Sequence, residues 1–152
     1  MSSTSSGLEV QRRENVAASL RAPVLWGIAI GIAQAVSPVG LRWLDPGTVW
    51  AISLVVIASI YIGFAVADGR RNVLAVEIGV ASAFIILAAV AIEVSAWLVV
   101  IGLIGHGLKD LWQHRTHFVS NTRWWPPFCL VVDFVAAPVI AVFLLTGVDL
   151  NG

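Results

Sequence analysis

The stretch Thr48–Ala67, TVWAISLVVIASIYIGFAVA, contains no charged residue. A helix rises about 1.5 Å per residue, so about 20 apolar residues cross the hydrocarbon core of a bilayer. This stretch alone selects a transmembrane helix. Four more apolar runs flank it: Ala22–Val36, Val73–Ile92, Ala96–Trp112 and Phe128–Thr146. The predicted fold is an all-α, polytopic transmembrane bundle of five spans. Residues 22–146 form its single domain, 1–21 a cytoplasmic tail and 147–152 a short external tail. The first and fourth runs are short and must borrow interfacial residues to complete a crossing.

Composition agrees. Hydrophobic residues make up 59% of the 152 and charged residues 12%, about half the charged share of a soluble domain. A formal net charge of zero offers nothing to nucleic acid. Cys129 is the sole cysteine, which rules out an intramolecular disulfide and a cysteine metal cluster.

The punctuation fits helix ends. Asp45-Pro46-Gly47 turns the chain into the second span, and Asp68-Gly69 ends it. Asn72 and Ser95 are candidate caps of the third and fourth spans. Pro126-Pro127 opens the fifth, where a missing amide donor costs nothing. With the N-terminus cytoplasmic, Arg12, Arg13, Arg21, Arg70, Arg71, Lys109, Arg115 and Arg123 all lie inside, and Arg42 alone lies outside. That is a strong positive-inside bias. Trp43 and Trp50 then mark the outer interface, and Trp112, Trp124 and Trp125 the inner one. Residues 8–20 carry a weak pattern for a surface helix after a Ser-rich, disordered start. Ala33-Gln34-Ala35 resembles a signal-peptide cleavage site, although the preceding region is long for one. Cleavage would leave four spans.

Within these runs, ionisable residues are the candidates for function, because a charge at mid-membrane costs roughly 3 kcal/mol even on insertion scales. Counting inward from the cytoplasmic ends puts Glu77, His106 and Asp133 roughly 8 to 10 Å deep on three different helices. Asp68 and Asp110 would line the mouth of such a site, with Tyr61 and Ser59 at similar depth. On the fourth span His106, Asp110, His114 and His117 fall within about 80° of one another. The set Glu77, His106, Asp110 and Asp133 could hold a proton, a small solute or a divalent metal such as zinc or iron. Asp68, His114, His117 and Tyr61 are secondary candidates. Each also has a plainer reading. His106 and Asp110 can bond to each other at i and i+4, Glu77 and Asp133 can join helices as protonated acids, and Asp68 can act as a cap. His114 and His117 can be solvated at the interface, and Lys109 can snorkel to headgroups.

Small residues at Gly27, Gly31 and Ala35, at Gly79 and Ala83, and at Ala137 and Ala141 suit close helix packing within or between subunits. Pro138 is expected to kink the fifth span.

At Tyr61–Arg70, His106–Arg115 and Arg123–Cys129 the chain resembles small polytopic bacterial membrane proteins of uncharacterised function. The resemblance covers roughly residues 50 to 140 and implies the bacterial cytoplasmic membrane and a helical bundle. It transfers no catalytic residue. Three functional classes follow. The first is binding or transport of a proton, metal ion or small solute, which in so small a chain implies a homo-oligomer. The second is a membrane-embedded, metal-dependent enzyme on a lipid-like substrate. The third is a structural or assembly subunit. No Gly-x-Ser-x-Gly or His-Glu-x-x-His pattern supports a familiar hydrolase.

Overall fold

Five helices form wherever the apolar runs predict them, and most extend further. The structure, a computed structural model, describes residues 3–147. In order, α1 spans Ser3–Val36, α2 Pro46–Asp68, α3 Arg71–Val94, α4 Trp97–Thr116 and α5 Trp125–Thr146. A short 3-10 turn, Ser37–Gly40, follows α1. The described residues hold no strand.

Four stretches are long and apolar enough to cross a membrane: Ala18–Gly40, Pro46–Asp68, Arg71–Val94 and Trp125–Thr146. The helix α4 is not among them. Lys109, Asp110, Gln113, His114 and Arg115 make its second half too polar. Its place in the bundle comes from burial against neighbours, not from its own hydropathy. The weak pattern over residues 8–20 is not a separate surface helix: α1 runs through it without a break. Past Gly147, the expected external tail lies outside the described residues.

The helix ends follow local chemistry. Asp45 accepts a hydrogen bond from the Thr48 amide at 3.1 Å and caps α2, with Pro46 behind it. Gly69 closes α2 with φ of 80°, a left-handed conformation that favours glycine. The Ser95 hydroxyl accepts from the Trp97 amide at 3.3 Å. Asn72 is not a cap. The helix α3 begins one residue earlier, at Arg71, without a side-chain cap.

α1 packs along α5, α5 along α4, and α2 along α3; α4 also touches α2 and α3. The first contact needs its glycines. A Cβ on Gly27 would lie 2.7 Å from Val131 Cβ, and one on Gly31 would lie 2.8 Å from the Val132 carbonyl oxygen. Gly79 has no such neighbour, so its spacing with Ala83 is not used inside the bundle. Trp50 is not an interfacial anchor. It is 2% exposed, and its indole N–H donates to the Ala35 carbonyl at 2.9 Å. That bond ties α2 to the end of α1 and satisfies a donor that would otherwise be orphaned. Trp43, by contrast, is exposed.

The interior is stratified. Toward the Asp45 end, Ala35, Trp50, Leu54, Val99, Leu103 and Ile140 form an apolar core. Toward the opposite, basic end, Ala65, Val73 and Val119 form a smaller apolar cluster with Phe64, Leu74 and Phe118. Along each of α2 to α5, the buried polar residues fall between these two clusters in sequence: Tyr61, Glu77, His106, Asp110, Gln113 and Asp133.

Candidate functional site

The centre of this polar layer is His106. Its side chain is fully buried, and Nδ1 lies 2.8 Å from Asp133 Oδ2 and 3.4 Å from Asp110 Oδ2. Asp110 comes from one turn along the same helix, Asp133 from α5. The two helices approach closely because Gly107 faces α5. A Cβ there would lie 2.6 Å from the Phe134 ring and 3.3 Å from Asp133 Cβ. Phe84 meets the imidazole edge-on at 5.2 Å, and the Tyr61 ring lies 5.9 Å away. The imidazole thus packs against two aromatic rings while both carboxylates face a single ring nitrogen.

This group is short of partners. His106 Nε2 and Asp133 Oδ1 are buried without a hydrogen bond, whereas Asp110 has the His106 ring nitrogen at 3.4 Å and the Tyr61 hydroxyl as partners. Most buried polar atoms in folded proteins have a partner, so two orphans in one small group point to something that completes them. One ligand atom from each of His106, Asp110 and Asp133 lies within 4.8 Å of the others, close enough to share a metal ion. Charge balance points the same way. Even with His106 protonated, two ionised carboxylates leave one negative charge in an apolar surround, a costly state that one more cation would relieve.

Glu77 belongs to a neighbouring constellation. Its Oε2 lies 2.8 Å from Lys109 Nζ, and its Oε1 accepts a hydrogen bond from the Gln113 amide. The same ammonium sits 3.2 Å above the centroid of the Tyr61 ring, a desolvated cation–π contact. Lys109 therefore does not snorkel outward. It turns inward because a buried carboxylate and an aromatic face await it, and only 12% of its side chain is exposed. The expected four-residue set thus divides: His106, Asp110 and Asp133 share one cluster, and Glu77 pairs with Lys109. Tyr61 links the two, its ring touching both Lys109 and His106.

The remaining candidates lie elsewhere. Asp68 is bidentate to Arg70, at 2.5 and 2.8 Å, and accepts from the Ser120 amide and hydroxyl at 2.8 and 2.7 Å. Arg70 also donates to the Phe118 carbonyl at 2.6 Å. This clamp fastens the α2–α3 turn to the α4–α5 loop, and the bonds to Asp68 raise the Arg70 guanidinium pKa. His114 is half-buried and His117 exposed. His117 ends α4 in the left-handed region, with φ of 51°. The buried stripe of α4 continues from His106 and Asp110 to Gln113, not to His114.

Lys109, Gln113 and Phe84 were not read from the sequence as site residues. Gln113 carried a signal: it lies seven residues after His106, two turns along the same helical face.

Comparison with protein-family models, with curated proteins and with solved structures found no match for this chain.

Proposed function

We propose that this chain is an integral membrane protein that binds and moves a cation, a proton or a divalent metal ion, through His106, Asp110 and Asp133. One observation carries the reading: a fully buried imidazole and two fully buried carboxylates converge, and His106 Nε2 and Asp133 Oδ1 have no hydrogen bond there. A proton can bridge such groups, and zinc or iron takes imidazole and carboxylate ligands. Glu77, Lys109 and Tyr61 stand beside the site as a charge-neutral layer. The resemblance to small bacterial membrane proteins supports a place in the bacterial cytoplasmic membrane. The eight-to-one distribution of basic residues supports a cytoplasmic basic end and five crossings, with α4 sheltered by its neighbours. A chain this small would carry cargo as a homo-oligomer, and the open faces around Gly63 and Gly79 offer room for a second copy.

The test is metal content. The purified protein is analysed for zinc, iron and manganese beside Asp133→Asn and His106→Ala. Stoichiometric metal in the parent, lost in both variants, is the expected result for a metal site. Folded variants, no metal in the parent, and proton uptake that disappears in the variants identify a proton site. Collapse of both variants without metal would assign the cluster to helix packing and end the cation reading.

A further inference from the structure

We infer that a groove at the basic end, between α1, the end of α4 and the start of α5, binds one anionic phospholipid. This rests on the membrane placement above and not on the cation site. The cavity measures about 410 Å³, and its lining combines Leu20, Pro23, Trp124 and Pro127 with Arg123 and His114. Among the described residues no carboxylate lines it. The arrangement suits a lipid in particular. Arg123 and His114 stand at a helix start and a helix end, the level at which headgroups meet a bundle. A guanidinium matches phosphate oxygens in bidentate geometry. Below it, Leu20, Pro23 and Pro127 offer an apolar wall to the start of an acyl chain. Trp124 stacks on Phe128 with centroids 4.8 Å apart and planes 17° from parallel, which gives the groove a stiff aromatic side at interfacial depth. A free phosphate would meet the guanidinium but leave the apolar wall uncovered. The phosphodiester of an anionic lipid occupies both parts.

The experiment uses the full chain in a bilayer disc of equal phosphatidylglycerol and phosphatidylcholine, with retained lipid counted by native mass spectrometry. The parent should keep one phosphatidylglycerol in preference to phosphatidylcholine. Arg123→Gln should hold it about fivefold more weakly, the loss expected for one basic group at a membrane surface. His114→Gln should weaken it less. Arg71→Gln, which removes an exposed charge outside the groove, should leave it unchanged, and millimolar inorganic phosphate should not displace it. Equal retention of the two lipids, an unaffected Arg123→Gln, an equal loss in Arg71→Gln, or displacement by phosphate would overturn the lipid site. Membrane placement is read separately, by alkaline washing of the membrane fraction. Release of the chain there ends both ideas, whereas a retained chain without lipid preference ends only this one.

Discussion

Replacing Lys109 by Met should unsettle the bundle more than any loss of surface charge, and replacing Glu77 at the same time should restore much of the loss. The Lys109–Glu77 pair is 2.8 Å apart, with side chains 12% and 1% exposed. At an effective dielectric of about 20 the attraction is on the order of 6 kcal/mol, largely offset by the cost of drying both charges. The single variant keeps that cost for Glu77 and removes the ammonium, leaving only the Gln113 amide as a donor. A loss of about 3 kcal/mol is expected. In Glu77→Gln with Lys109→Met neither charge remains, and residue 77 can still hydrogen-bond to Gln113. The double variant should recover about 2 kcal/mol, a coupling within the range for directly contacting residues. Reversible unfolding in mixed detergent micelles measures all four corners of the cycle. A double variant no more stable than the worse single one would refute the claim that these two groups compensate each other inside the bundle.

Further outcomes follow from other contacts. Gly31→Ala should cost about 1 to 3 kcal/mol, because its Cβ meets backbone that cannot rotate away; Gly79→Ala, with open space around it, should be neutral or stabilising in the same unfolding assay. Trp50→Phe should lose about 1 kcal/mol by orphaning the Ala35 carbonyl, measured by the same unfolding. Asp68→Ala should release the α4–α5 loop, seen as faster tryptic cleavage at Arg115 or Arg123; unchanged cleavage would mean that the clamp does not hold the loop. Cys129 is 3% exposed and one turn before Asp133. It should resist a membrane-impermeant thiol reagent in the parent and label readily in Lys109→Met, if that pair helps close the polar layer.

How far the sequence reaches can be seen residue by residue. Asp45, Gly69 and the uncharged run after Thr48 determine the second helix locally, because capping, a left-handed closing residue and bilayer-length hydropathy all act within one segment. The pairing of His106 with Asp110 follows from helical spacing alone, and the glycines at 27 and 31 announce a close helix contact before any partner is known. Partners distant in sequence are another matter. That Asp133 reaches His106, that Arg70 reaches Phe118, and that Trp50 turns inward to Ala35 depend on how helices are rotated against one another. One residue's difference along α4 is about 100° of rotation, enough to exchange His114 for Gln113 on the buried face. A lysine stem reaches equally well toward water or toward the interior, and only a buried Glu77 and the face of Tyr61 decide for Lys109. Hydropathy and capping are properties of one segment, so the chain alone determines its helices and their polar residues. Which polar groups share a partner is a property of several packed surfaces at once, so the tertiary structure alone decides the site.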